Sequence, residues 1–192
     1  MLRNYILIAL RNMVRNRLYT FLNITGLAVG AAACLLILLY VQDELSYDRF
    51  HDRAKDIYRM NMQIDVPDRS MDFATVAHVQ GPQILSEFPE VENCVRLTHY
   101  RTGRIIDFDE RSFEEDGFLY ADPSFFDVFS FKLLSGDPAT ALKEPNSVVI
   151  TQEMAQKYFS DEDPLGKSLR INREDLYQVT GVMANVPQNS HF

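Results

Sequence analysis

FLNITGLAVGAAACLLILLYV, residues 21–41, contains no charged residue, two glycines, and only Asn23 and Thr25 as clearly polar side chains. At about 1.5 Å of rise per residue such a run spans roughly 30 Å as a helix, the thickness of a bilayer's hydrocarbon core. It predicts a transmembrane helix over residues 19–43. A cleaved signal peptide fits poorly, because signal peptides carry an apolar stretch of about 7 to 15 residues ending in an A-x-A-like site. This run is longer and leads directly into Gln42, Asp43 and Glu44.

The flanks differ sharply in charge. Arg3, Arg11, Arg15 and Arg17 precede the run with no acid among them, whereas every acidic residue lies at or after Asp43. The chain's net charge of −8 therefore divides into +4 before the run and −12 after it. By the positive-inside rule the amino terminus faces the cytoplasm and the residues after the helix lie outside. An acidic outer part without a clustered basic face also excludes nucleic acid as the main partner.

Residues 2–14 set Leu2, Tyr5, Ile6, Ala9, Leu10, Met13 and Val14 at spacings of three and four, with Arg3, Arg11 and Arg15 largely on other faces. Residues 1–18 are thus expected to form an amphipathic helix lying on the cytoplasmic membrane surface, with Arg11, Arg15 and Arg17 at the headgroups. Within the span, Gly26 and Gly30 form G-x-x-x-G, and Ala33 and Cys34 continue the small-residue stripe. Such a stripe lets a second helix backbone approach closely, so Gly26 and Gly30 are the expected helix-packing residues.

From about residue 56 the pattern changes to short β-rich runs punctuated by Gly, Pro and Asp. Strands are expected over 57–64, 71–76, 95–100, 104–108, 112–121, 147–150, 168–171 and 177–184. Helices fit 80–87, 124–129 and 152–158, the last with Thr151 as its N-cap. The outer part, residues 44–192, is therefore of the α+β class.

Signatures of chemistry are scarce in this outer part. Gly166-Lys167-Ser168 resembles the end of a phosphate-binding loop, but Asp161, Glu162 and Asp163 occupy the place of the glycine-rich cradle and would repel phosphate. A Pro-Leu-Gly turn into a strand suits the segment better. His51, His78, His99 and His191 show no zinc-ligand spacing. Asp109, Glu110, Glu114, Glu115 and Asp116 lack the glycine and spacing of a calcium loop and read as a solvated hairpin. No serine sits in a G-x-S-x-G setting. Phe125, Phe126, Phe129 and Phe131 fit a core face. Cys94 reads as a small packed side chain, and an intrachain disulfide with Cys34 would have to join bilayer to solvent. No catalytic, metal or cofactor-binding residue is assigned.

Taken in order, several segments resemble the amino-terminal part of MacB/FtsX-type ABC transporter permeases, particularly the large ones of Bacteroidetes-like bacteria. The carriers are L-R-N at 2–4, A-L-R-N-M-V-R-N-R at 9–17, N-I-T-G-L-A-V-G at 23–30, E-L-S-Y-D-R-F-H at 44–51 and I-Y-R at 57–59. Further on come D-P-S-F-F-D-V-F-S-F-K-L-L-S-G-D-P at 122–138, S-V-V-I-T at 147–151, Y-F-S-D-E-D-P-L-G-K at 158–167 and V-T-G-V-M-A-N-V-P-Q-N-S-H-F at 179–192.

The resemblance implies a first transmembrane helix feeding a MacB-like periplasmic core domain of α+β fold, in the inner membrane. It implies a permease dimer, homomeric or with a related permease, paired with a cytoplasmic ABC ATPase that binds the ATP, with a periplasmic adaptor as a further partner. The permease itself performs no covalent chemistry in this scheme. It couples ATP hydrolysis to periplasmic conformational change for export or mechanotransmission. The family has further membrane helices after this domain, so the chain is expected to be a fragment whose periplasmic domain is incomplete. The alternative is a single-span, membrane-anchored extracytoplasmic sensor or adaptor, complete as it stands.

Overall fold

The computed structural model describes residues 2–99 and 103–192 and divides into two compact units, residues 1–47 and 48–192. In the first unit, α1 (Leu2–Arg15) and α2 (Arg17–Glu44) are separated by Asn16, whose φ of −109° and ψ of 60° leave the helical region. The Thr20 hydroxyl donates to the Met13 carbonyl across this break, and the Arg17 Nε donates to the Val14 carbonyl. No residue of α2 is buried, and its leucines and isoleucines stand exposed all round. A helix apolar on every side with no protein covering it is stable in hydrocarbon and costly in water. It is the one helix among the described residues long and apolar enough to cross a membrane.

The second unit is mixed α+β. An extended stretch leads into a hairpin of β1 (Met62–Val66) and β2 (Arg69–Phe73), followed by α3 (Gln80–Glu87). β3 (Leu97–His99) pairs antiparallel with β6 (Leu119–Ala121). Tyr100, the end of the strand expected over 95–100, lies outside the described residues.

The main sheet has six strands. β4 (Arg104–Phe108) and β5 (Arg111–Glu115) form a hairpin at one side, turning through Asp109 at a φ of 52° and Glu110. β9 (Ser168–Ile171) joins β4 to β10 (Asp175–Met183), the longest strand. β10 also pairs antiparallel with β7 (Leu133–Ser135) and parallel with β8 (Ser147–Thr151). A parallel pair cannot be joined by a tight turn, and the connection from β8 to β10 runs through α5 (Gln152–Phe159) and β9. The short helix α4 (Phe125–Val128) precedes β7.

Alternation along the strands gives the sheet two cores. Val148, Ile150 and Val182 join Ile106, Tyr158, Phe159, Leu169 and Val179 in a cluster with α5. Their strand neighbours Val149 and Met183 point the other way, into a cluster with Phe125, Phe129 and Phe131. Tyr158 is wholly buried, and its hydroxyl donates to Glu115 Oε1 at 2.8 Å, which satisfies the one polar atom such a ring brings inside.

Several local features follow directly from residue type. Thr151 caps α5, its Oγ1 accepting from the Met154 N–H at 3.2 Å. The turn between β9 and β10 carries Asn172 and Arg173 at positive φ, as hairpin turns that follow the strands' twist require. Gly136 has a φ of +94°, and a Cβ there would lie 2.5 Å from the Thr180 carbonyl oxygen, so the chain can cross β10 only as glycine.

The expected strand over 112–121 is two strands in different sheets, because Asp116 and Gly117 turn the chain between β5 and β6. The strand expected over 57–64 pairs only from Met62, and β7 is an element the sequence pattern did not reveal.

Candidate functional site

The residues singled out for membrane roles all lie in the first unit. Gly26 and Gly30 are one helical turn apart on α2, and beyond the helix's own backbone a Cβ built on either meets no heavy atom of the described residues within 4 Å. Their stripe therefore presents bare backbone with room for a close neighbour. Arg11 and Arg15 are exposed one turn apart on α1, with Arg15 in its last turn, where a cation complements the helix carbonyls. Arg17 begins α2.

In the second unit one hydrogen-bonded group of side chains is a group the sequence did not place. Residues 48–51, the first of the unit, meet residues 189–192. Asp48, at a φ of 54°, donates its N–H to the Asn189 carbonyl at 3.0 Å. Its Oδ1 accepts from the Ser190 hydroxyl at 3.2 Å and the His191 N–H at 3.1 Å, and its Oδ2 meets His191 Nδ1 at 2.5 Å. Burial pushes the Asp48 carboxyl up, but the hydrogen bonds and charge of His191 and the Ser190 hydroxyl outweigh it and hold the group below its ordinary value.

Three residues on, His51 is 4% exposed. Its Nδ1 accepts from the Ser130 N–H at 3.1 Å, while the Ser130 hydroxyl accepts from the Asp52 N–H at 3.0 Å. The imidazole is ringed by Phe50, Phe129 and Phe131, with centroids 4.1, 5.2 and 5.1 Å away, and by Phe192 at 6.4 Å. Phe192 itself stands edge-on to Phe125, Phe129 and Phe131. Burial pushes the His51 imidazole below its ordinary value, against the pull of Asp48 and Asp52. D-R-F-H and N-S-H-F were both visible in the sequence; nothing local to either said that they touch.

Elsewhere the charged side chains make paired ties on the surface. Arg96 grips Asp122 with two parallel hydrogen bonds of 2.7 and 2.8 Å, and its own N–H adds a third at 3.0 Å. Lys157 meets Glu115 at 2.5 Å, and Lys167 pairs with Glu162. The acidic run around Asp109 is the turn and outer edge of the β4–β5 hairpin. Phe125, Phe129 and Phe131 are core residues and Phe126 packs against them, as their spacing predicts. Cys34 and Cys94 are both free thiols. Among the described residues no group of three or more His, Cys, Asp or Glu is placed to hold a metal ion. The concavities flanking α5 are open depressions lined by residues such as Gln152, Gln156 and Asn185.

A family model described as the MacB-like periplasmic core domain matches residues 20–192. Among solved structures, a domain of a protein named as a permease from Porphyromonas gingivalis is similar at 31% identity and a TM-score of 0.56, over 65% of this chain and 52% of that one. The periplasmic region of MacB from Actinobacillus actinomycetemcomitans is similar at 22% identity and a TM-score of 0.46, over 56% and 50%. The extracellular domain of the noncanonic ABC-type transporter YknZ from Gram-positive bacteria is similar at 18% identity and a TM-score of 0.44, over 55% and 56%. The chain thus spans about half the length of the solved structures it matches. No curated protein matches it.

Proposed function

The chain belongs to the family of MacB-like periplasmic core domains, and from that premise we propose that it is the amino-terminal portion of an ABC transporter permease subunit that couples ATP hydrolysis to periplasmic movement. The observation that carries this reading is an apolar helix of 28 residues, none of them buried, that lies from residue 20 onward within the MacB-like match. In this reading α2 crosses the inner membrane and α1 lies on its cytoplasmic surface, with Arg11, Arg15 and Arg17 against the lipid headgroups. The second unit stands in the periplasm.

ATP is bound by a separate or fused cytoplasmic ATPase, and this chain supplies no catalytic residue. The Gly26–Gly30 stripe seats a neighbouring helix of the permease assembly, which pairs with a second permease copy or a related permease. Helix movement then passes to the periplasmic unit through residues 45–48, and the output is export or force on an outer partner such as a periplasmic adaptor. The chain is accordingly part of a longer permease with further membrane helices.

The test is to follow the reading frame beyond Phe192 and purify the resulting protein from membranes. Three or more further apolar spans of at least about 18 residues, with an ATP-hydrolysing subunit retained on purification, support the permease. An in-frame stop immediately after Phe192 and no such subunit would favour the single-span anchored sensor or adaptor instead.

A further inference from the structure

We propose that residues 48–51 and 189–192 form one tied pair of segments seated on residues 129–131, and that acid unseats the pair by protonating His51. The proposal stands on the geometry of the second unit alone and holds whether or not the protein is a permease.

The seat has two parts. One is the His51 ring, whose Nδ1 accepts the Ser130 N–H at 3.1 Å. The other is Phe192, whose ring lies 4.7 Å from Phe129 and 5.2 Å from Phe131. An imidazole that accepts at Nδ1 is neutral and carries its proton on Nε2. That Nε2 is buried and has no hydrogen-bond partner among the described residues. A second proton can go only on Nδ1, where the new N–H would point at the Ser130 N–H. Donor would then face donor, and the charged ring would have no acceptor within its phenylalanine surround. The ring must leave the seat to become charged.

Its neighbours do not remove this conflict. The charged groups facing His51 are Asp48 and Asp52 on its own turn. Both favour the imidazolium and so lower the acidity needed, but both lie outside the ring's hydrogen-bond reach. Residues 129–131 contribute Ser130 and two phenylalanines. The terminal segment contributes Phe192 and His191, and His191 is already engaged with Asp48. Arg49 is exposed, and Arg53 pairs with Glu92.

The Asp48 ties survive this step. Its carboxylate still accepts from the Ser190 hydroxyl and the His191 backbone N–H, neither of which depends on His51. The two segments therefore leave residues 129–131 together, still joined to each other. Such a step would change how the first residues of the unit are anchored without melting its sheet.

Hydrogen exchange on the whole chain in detergent, at pH 7.5 and 5.5 and corrected for the intrinsic pH dependence of exchange, tests this. The expected result is a loss of protection at the Ser130 amide and across residues 189–192. Below the free imidazole's ordinary value of 6.5, and until the seated ring itself becomes charged, the loss should grow on the order of tenfold per pH unit, while β9 and β10 keep their protection. His51→Asn retains an acceptor near the Nδ1 position without a titrating proton, and should abolish the pH dependence. Equal protection of these amides at both pH values, an acid loss that persists in His51→Asn, or a loss shared by β9 and β10 would each overturn the proposal. Should His51→Asn fail to fold, the wild-type His51 ring resonances decide. The ring must become charged at the pH where the Ser130 amide loses the last of its protection, and a ring that titrates while that amide stays protected would refute the link.

Discussion

Asp122 shows how a single surface carboxylate is coupled to the fold. Its hydrogen bonds to Arg96 hold the carboxyl below its ordinary value, with burial acting against them and the Arg96 N–H and charge adding to the same effect. A carboxylate depressed in the folded state stabilises above its unfolded pKa, near 3.8, and that contribution is lost as pH falls through this value toward the folded one. Asp122→Asn should therefore lower the urea midpoint at pH 7 and flatten the decline of stability below about pH 4. An acid limb unchanged from wild type would show that the pair is not coupled to folding. Gly136 makes a steric case at the same scale. In Gly136→Ala the new Cβ would meet the Thr180 carbonyl oxygen at 2.5 Å on a backbone that already has positive φ. We expect a loss of roughly 2–3 kcal/mol in chemical denaturation, and a loss below half of that would mean that β7 shifts easily along β10.

At the scale of elements, α5 depends on its cap. Thr151→Ala removes the acceptor for the Met154 N–H and should cost about 1 kcal/mol, read as a lower denaturation midpoint, whereas Thr151→Ser should restore most of it. The Gly26–Gly30 stripe of α2 makes a different kind of prediction, since a Cβ built on either glycine stands in open space among the described residues. If the proposed permease assembles through this stripe, Gly30→Leu should weaken its helix association, measured by cross-linking in membranes, and leave the thermal transition of the second unit unmoved. Undiminished cross-linking would count against a packing role for Gly30. These elements also show which parts of the fold could be read from the sequence. Residues 80–87, 104–108 and 168–171 are bounded by their own punctuation and form α3, β4 and β9 with the expected ends. Residues 57–61 have the composition of a strand but find no strand partner among the described residues, and pairing begins only at Met62. β7 is three residues long, too short for any alternation to show, and it exists because β10 offers it an edge. The Asp48 ties were illegible for a related reason: Ser190 lies 142 positions away, and no periodicity spans such a distance.

For the whole molecule, the division at residues 47 and 48 carries a prediction of its own. Both hydrophobic clusters draw their members from the second unit alone. Residues 48–192 should therefore fold without the helices and melt in one cooperative transition, within about 3 °C of the same unit in the detergent-solubilised chain. A molten, broad transition would show that α2 contributes to the outer fold. The charge distribution agrees with this separation, since the basic residues before the helix and the acidic excess after it belong to different units.

β10 sets the timetable of biogenesis. It pairs with β7, β8 and β9, all of which precede it in the chain. While the nascent polypeptide emerges, β7 and β8 therefore have no central strand on which to assemble, and only the β1–β2 and β4–β5 hairpins and the short helices can form locally. Contacts this distant in sequence make for slow folding. Until Val179, Val182 and Met183 arrive, the valines of β8 and the phenylalanines after α4 have no sheet to cover them. The interval between synthesis of β7 and synthesis of β10 is thus when the chain is most exposed to aggregation and proteolysis, and when a chaperone would matter most.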